Sequence, residues 1–572
     1  MKIKLSLLLL VVLFTLQALA QEVTLRIAAT SDLHGSLFPF DFEEGQPGRT
    51  SLEGVGYLVD SLRIIPGSNL VLLDNGDLVQ GTPVAYYANF LQKRRKNLFA
   101  RMLNSLKYDA ATVGNHDIEA GPAVYNQLVK DFRFPYLAGN VTEVSTGRPY
   151  FKPYTVVEKG GIRIAVIGLI TPAVPRWLPG HLWEGLAFGD MVEAARFWVN
   201  KVRDTEHPDV VVGLFHTGYG GDREDPADLA ENAGREIAQN VPGFDVVILG
   251  HDHRPRNEIV TNSAGGEVLV LNPGSGARNL AVAEVVLPGD RGSVRTIASR
   301  NGHLIPVDEN PSPGKFARHF RRDRKEILTF ANREVGRLGN TMVSADALFG
   351  SSALTDLIHR VQLETTGADV SFAAPLSVSG SIDAGMLHVR DLFKMYRYEN
   401  FLYTMKLTGA EIHRYLEYSY GLWFNRMQND AEHLLLFRDN QAARPVLLNP
   451  SYNFDSAAGI RYTVDVSKPA GERVTITGME NGEPFNPAKT YLVALNSYRG
   501  SGGGGHLTTG AGLAPEILPE RMVSASRGDF RAMLMEYIES NKVINPLPRD
   551  NWKVIPEEFA VKGRERDRLH FR

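Results

Sequence analysis

The chain has no cysteine among its 572 residues. That absence excludes disulfides, thiolate catalysis and thiolate metal ligation together. It also removes the residue that a lipid anchor behind a leader peptide would need. Nor does one sign of charge dominate. Lysine and arginine number 62 against 65 aspartates and glutamates, a net charge of −3, so nothing attracts a nucleic-acid polymer in general. Small phosphorylated ligands are still compatible, because a bound metal supplies positive charge locally. Long apolar runs are missing too, except at the start. There Lys2 and Lys4 precede an apolar run from Leu5 to Phe14, and Ala18-Leu19-Ala20 puts small residues where a signal peptidase cuts. This reads as a secretory leader over 1–20, its apolar core too short for a comfortable bilayer span. An exported protein, periplasmic or secreted and without stable membrane insertion, is expected.

Hydrophobic residues make up 43% and charged residues 22%, an ordinary globular balance. A chain this long exceeds one core, so two sizeable domains are expected. From Val23 to about Leu287 strand-length apolar runs recur at Thr24–Ala29, Leu70–Leu73, Ile162–Ile170, Val210–Phe215, Val246–Leu249 and Val268–Leu271. Helical stretches such as Val55–Leu62 and Met191–Val202 lie between several of them, which suggests a layered α/β domain over 23–310. Pro311-Ser312-Pro313-Gly314 breaks the chain. A charged amphipathic helix from Lys315 to about Val335 follows, with Phe316, Phe320, Ile327 and Phe330 on one stripe and Arg321–Lys325 as its solvated face. It reads as a connector, 311–341. A second domain over 342–548 mixes helices (Leu354–Glu364, Gly409–Tyr418) with strands (Arg461–Val466, Thr490–Leu495). The tail, 549–572, reads as a frayed, solvated terminus.

The informative fact is where hard and borderline metal ligands fall. Leu25–Ala29 leads to Asp32-Leu33-His34-Gly35, Val71–Leu73 to Asn75-Gly76-Asp77, and Ala111–Val113 to Gly114-Asn115-His116-Asp117. Val211–Phe215 leads to His216, and Val246–Leu249 to Gly250-His251-Asp252-His253. In an open α/β sheet the carboxyl ends of parallel strands share one edge, so the clusters would meet in one crevice. One such histidine is unremarkable on its own; five clusters at strand ends form a set. Imidazole, amide and carboxylate groups meeting there are candidate ligands for divalent metal ions. Such ligands suit Zn, Mn, Co or Fe, and the Irving–Williams order leaves the choice open.

This order of motifs resembles the calcineurin-like metallophosphoesterases. The resemblance implies a metallophosphoesterase β-sandwich flanked by helices, a connecting helix, and a second α+β substrate-specificity domain. It implies two divalent metal ions. Asp32, His34, Asp77 and His253 would hold the first; Asp77, Asn115, His216 and His251 the second, with Asp77 as the bridge. His116 would contact the phosphate and stabilise its charge or protonate the leaving oxygen. Glu119, three residues on, would orient it where an aspartate is commoner, and Asp117 would orient the loop.

The resemblance extends into the second half. Tyr396-Arg397-Tyr398-Glu399-Asn400, Lys406–Glu411, Asn453-Phe454-Asp455 and Asn496-Ser497-Tyr498-Arg499-Gly500 are similar to the specificity domain of the bacterial 5′-nucleotidase and 2′,3′-cyclic phosphodiesterase family. There two aromatic rings sandwich the nucleobase. Tyr398 and Tyr498 match them, with Tyr396 competing for the first position; Asn400 would read a base edge and Asp455 would contact ribose or base. The glycine run 502–505 is either a flexible loop or a place where ligand and backbone come close. Ala373–Gly380 lacks the arginine of the 5′-nucleotidase branch and looks more like the 2′,3′-cyclic-nucleotide 2′-phosphodiesterase/3′-nucleotidase branch. Turnover of 2′,3′-cyclic nucleotides and 3′-nucleotides is therefore the leading expectation, ahead of a 5′-nucleotidase or UDP-sugar hydrolase and, further off, a thiosulfohydrolase. The expected partner is a small-molecule nucleotide, not a nucleic-acid polymer; the sequence leaves the oligomeric state open and is compatible with a monomer. The resemblance also implies a swing of the second domain about the connector.

Overall fold

The computed structural model describes residues 22–92, 95–220, 230–289, 296–312, 314–439 and 445–571. The leader read at 1–20 lies outside the described residues. Among them, no helix is long and apolar enough to cross a membrane.

The first half is a sandwich of two six-stranded sheets. One runs Ser299–Pro306, Asn279–Leu287, Val23–Thr30, Asn69–Asp74, Ala110–Thr112, Tyr136–Leu137. The other runs Arg256–Thr261, Glu267–Asn272, Val246–Leu249, Val210–His216, Ile162–Ile170, Tyr154–Lys159. Strand periodicity explains the layering. Leu25, Ile27 and Ala29 face the second sheet's Ile164, Val166, Val212 and Ile248 between the layers. Ala28, in between, faces outward and packs with Leu52, Val55 and Val59 of the helix Leu52–Arg63. On the opposite outer face Ala165, Ile167 and Leu169 meet Met191, Ala195, Val199 and Val202 of the helix Met191–Glu206. Both strand faces are thus apolar, and each fully buried aliphatic side chain contributes ~1.5–3 kcal/mol. The strand-end clusters accordingly come from two sheets and not from one open sheet. Asp32, Asp77 and Asn115 follow strands of the first, while His216, His251 and His253 follow strands of the second.

The connector helix spans Lys315–Ala331, with Phe320, Ile327 and Ala331 buried. It ends before Val335, because Glu334–Leu338 is a strand of the second domain, paired with Gly385–His388 and Val543–Ile544. Its charged run is not wholly solvated either. Asp323 is buried and takes Arg101 through both oxygens at 2.6 and 2.8 Å. Burial opposes that carboxylate, but the hydrogen bonds and charge of Arg101, with Gln92 and Arg95, together hold it below its ordinary range.

The second domain is built on a five-stranded mixed sheet ordered Ser456–Ala458, Val370–Ala373, Thr490–Asn496, Phe401–Thr408, Met522–Asp529. Its helices Ala353–Thr366 and Gly409–Trp423 start at Ser352 and Thr408, whose side chains accept from Thr355 N and Glu411 N, satisfying orphan helix donors. The tail is not frayed. Trp552–Ile555 pairs in parallel with Ile460–Asp465, and the helix Glu557–Asp567 follows. Asp567 is buried and accepts from the backbone N–H groups of Leu434 and Leu435 at 2.8 Å each. Those bonds hold the charged terminus against the domain.

Candidate metal centre and adjoining cavity

Two loops and two histidine-bearing turns converge at the ends of the sandwich strands. The loop after Val23–Thr30 and the loop after Asn69–Asp74 are zipped together: Asp32 N donates to Gly76 O (2.9 Å), His34 N to Asp77 O (3.0 Å) and Gly35 N to Leu78 O (3.0 Å). Asp32, His34, Asp77, His251 and His253 all have φ between 44 and 64°. That region is uncommon for residues with a Cβ, and such strain concentrates at functional sites. Asp117 ties the third loop in, accepting from Asp77 N (3.0 Å), Leu78 N (2.9 Å) and Gly114 N (2.8 Å).

The candidate ligands fall into two groups, Asp32, His34, His253 and Asp77, His216, His251. In the first, His34 Nε2 and His253 Nε2 are 3.0 Å apart, and His253 Nε2 is 3.3 Å from Asp32 Oδ1. In the second, His216 Nε2 is 3.1 Å from Asp77 Oδ2 and 3.1 Å from Asn115 Oδ1, which lies 2.9 Å from His251 Nδ1. His34 Nε2 is 4.0 Å from both Asp32 Oδ1 and Asp77 Oδ2, so Asp77 stands between the groups.

These donors fit divalent cations. Ligand atoms about 3 Å apart match the edges of a coordination shell with bonds of about 2.1 Å. His216 Nδ1 is 2.6 Å from Asn75 O and His251 Nε2 is 3.1 Å from Glu231 Oε1. With those outer nitrogens donating, both inner nitrogens turn lone pairs toward Asn115, the usual outer support of metal-binding imidazoles. Burial lowers the His34 imidazole to about 3, keeping it neutral. His216 is raised to about 10, since Asp77 outweighs the burial that opposes its charge. A cation would take the place of that proton.

His116 is the second residue of the short helix Asn115–Glu119. Its backbone N–H donates to Asp77 Oδ1 (2.8 Å), and its Nδ1 bonds Glu119 one turn on. Burial opposes the imidazolium, but Asp77 and Glu119 outweigh it and raise His116 to about 9.

Beside this centre lies a cavity of about 340 Å³ to which both domains contribute. Asn115, His116, Glu119 and His251 line one side; Tyr398, Asn400 and Tyr498 line the other. Tyr498 sits on the short helix Ser497–Gly500, capped by Asn496 Oδ1 accepting from Arg499 N at 2.8 Å. Asp455 does not reach the cavity. It is buried behind it, paired with Arg499 Nε at 2.8 Å and bonded to the Tyr415 hydroxyl. Arg499 in turn donates to Tyr452 O (2.5 Å) and Gly503 O (2.9 Å), so the pair braces the wall. Tyr396 is core, packed on Phe530 at 4.6 Å between ring centroids. Gly503 and Gly504 admit close approach by protein groups: a Cβ would meet the Tyr498 ring at 2.5 Å and Arg499 Nη1 at 2.2 Å, respectively.

Sequence reasoning missed Trp177, Leu178, Glu231, Leu376, Tyr452 and Asn496 as cavity-lining groups. Trp177 lies nearly parallel to His251, 5.5 Å between centroids. Three had a signal within reach: Leu376 and Asn496 lie inside quoted motifs, and Tyr452 directly precedes Asn453. Trp177, Leu178 and Glu231 had none.

The fold and this centre define a metallophosphoesterase with a second domain facing its site. The calcineurin-like phosphoesterase profile matches residues 25–255, and the 5′-nucleotidase C-terminal domain profile matches 331–510. Among similar proteins, the trifunctional nucleotide phosphoesterase protein YfkN of Bacillus subtilis is 27% identical over 94% of this chain, which spans 39% of YfkN's length. A 2′,3′-cyclic-nucleotide 2′-phosphodiesterase/3′-nucleotidase of Yersinia enterocolitica is 27% identical over 95% of this chain and 90% of its own. Among solved structures, a putative 5′-nucleotidase from Staphylococcus aureus in complex with α-ketoglutarate superposes with a TM-score of 0.76 at 23% identity, covering 93% of this chain and 99% of its own; that likeness speaks to fold. Residues 25–255 are thus a calcineurin-like phosphoesterase domain, and residues 331–510 a 5′-nucleotidase C-terminal domain.

Proposed function

We propose that the protein is an exported, dinuclear-metal nucleotide phosphohydrolase that converts 2′,3′-cyclic nucleotides and 3′-nucleotides to nucleoside and phosphate. The observation that carries this reading is the shared cavity, in which His116 and the candidate ligands Asn115 and His251 face Tyr398, Asn400 and Tyr498. A nucleotide bridging the two walls has its phosphate beside the metal centre and its base between the tyrosines.

In this reading Asp32, His34, Asp77 and His253 hold one cation, and Asp77, Asn115, His216 and His251 the other. The two cations, when bound, supply positive charge at the phosphoryl centre and acidify water at neutral pH. His116 sits against the phosphate and delivers a proton to the departing ribose oxygen, while Glu119 fixes the ring through Nδ1. A general acid is needed because both departures release an alkoxide. Water opens the cyclic diester at its 2′ oxygen, giving the 3′-monoester; a second water releases the nucleoside and phosphate. Tyr398 and Tyr498 hold the base by stacking, which tolerates any base, and Asn400 reads its edge. Asp455 acts through Arg499, and not by touching ribose.

The relatives named for cyclic phosphodiesterase and 3′-nucleotidase activity support this branch. So does the stretch 373–380, which lends the cavity the uncharged Leu376. Phosphate and nucleoside release from 2′,3′-cyclic AMP, 3′-AMP and 5′-AMP with added Mn²⁺ or Co²⁺ tests it. Turnover of the first two is expected; turnover of 5′-AMP alone would make the protein a 5′-nucleotidase.

A further inference from the structure

Glu231 belongs to the metal-bearing domain but borders the cavity that the second domain closes. Its Oε1 is 3.1 Å from His251 Nε2, on the ring edge away from Asn115. The side chain is 44% exposed, so the carboxylate is anchored at one end and open to the cavity at the other. Tyr452 and Tyr498 stand on the facing wall. The reach of its charge shows in their phenols. Burial raises Tyr452, and Glu231 adds to it. Burial raises Tyr498 to about 12, with Arg499 opposing and Tyr452 and Glu231 adding.

Glu119 borders the same cavity but is bonded to the His116 imidazole, which faces it as an acid–base partner. Glu231 is different. Its imidazole partner directs the other nitrogen toward Asn115 and the Asp77 group. None of the described residues lining the cavity is a lysine or arginine.

We propose that Glu231 is a specificity-determining residue that admits nucleotides with an uncharged nucleoside half and turns away those carrying a second phosphate. The inference rests on the 3′-nucleotide reading above. A second phosphate brings about two further negative charges. A cavity of about 340 Å³ is at the small end of the range for small-molecule sites, so that charge would lie close to the carboxylate. Across a few ångströms of partly dehydrated cavity, such like-charge repulsion is worth roughly tenfold or more in binding.

The test compares kcat/KM for 3′-AMP and for adenosine 3′,5′-bisphosphate, using the full metal-reconstituted protein as parent, Glu231→Gln and Glu231→Lys. The parent is expected to favour the monophosphate by about tenfold or more. Glu231→Gln narrows that ratio by about tenfold, mostly through the KM of the bisphosphate, and Glu231→Lys narrows it further or inverts it. Weakened support of His251 would slow both substrates alike and cancel in the ratio. An equal ratio in parent and Glu231→Gln overturns the proposal, even if Glu231→Lys fails to fold. The underlying reading fails separately, if the parent hydrolyses 5′-AMP but neither 3′ substrate. In that event 5′-AMP against ADP, measured on the same variants, decides the role of Glu231 by the same ratio.

Discussion

Gly114 offers a sharp perturbation of the centre. Its φ of −100° suits any residue, so Gly114→Ala carries no backbone penalty and acts by volume alone. The added Cβ would meet Asp77 Oδ1 at 2.2 Å and Asp77 N at 2.4 Å. A backbone nitrogen cannot swing aside as a side-chain tip can, so the Asp77 loop and the Asn115 helix must separate by about 1 Å. Overpacking of this kind costs about 1–3 kcal/mol. Misplacement by about 1 Å at reacting groups costs roughly 10²-fold in rate. Asp77 is the carboxylate between both ligand groups, so bound metal should also fall. The assay is kcat/KM for 3′-AMP, metal per chain by mass spectrometry, and a urea unfolding curve. Gly180→Ala is the control, since its Cβ would meet nothing within 4 Å. Parent-like rate and metal content in Gly114→Ala would refute the contact between these loops as the element that positions Asp77.

Tyr498→Ala should raise KM by roughly 5- to 150-fold, the equivalent of ~1–3 kcal/mol of stacking, with kcat far less affected. Tyr396→Phe removes only the hydroxyl that accepts from Asn400 Nδ2 at 3.3 Å and should raise KM far less; a reversed pattern would reassign the clamp. Arg499→Met strands the buried Asp455 carboxylate, a loss of about 3–5 kcal/mol. It should lower the urea midpoint and raise the nucleotide KM together; a change in only one would separate the brace from the cavity wall. His359 is buried between the hydroxyls of Ser371 and Ser456, and burial lowers it to about 3 from 6.5. The unfolded chain takes up the proton below about 6.5 while the folded chain does not. Stability therefore falls as pH drops from 6.5 toward 3, by up to about 1.4 kcal/mol per unit. His359→Gln should flatten that slope in urea unfolding series at pH 7 and pH 5; an unchanged slope would assign the dependence elsewhere.

Strands buried on both faces announced themselves, and Ile162–Ile170 and Val246–Leu249 have the limits their apolar runs implied. The candidate ligand clusters stood out for a related reason: a polar residue directly after an apolar strand has few roles. That two sheets, and not one, deliver them depends on which strands pair, and parallel neighbours such as Val23–Thr30 and Asn69–Asp74 leave no local trace of partner choice. The tail misled because its alternating charges resemble a solvated end, whereas Asp567 is spent on two backbone N–H groups more than 130 positions away. Glu231 and Trp177 were invisible for a similar reason. Their positions in the chain say nothing about His251, and only folding sets them against its ring.

The most direct test of a shared two-cation centre is metal stoichiometry measured alongside turnover of 3′-AMP. Protein stripped with a chelator should be inactive and should regain activity as Mn²⁺ or Co²⁺ is restored to two equivalents per chain. His116→Ala should bind the same two equivalents while losing roughly 10²- to 10⁴-fold in rate. Full activity with one equivalent or none, or an unaltered rate in His116→Ala, would contradict it.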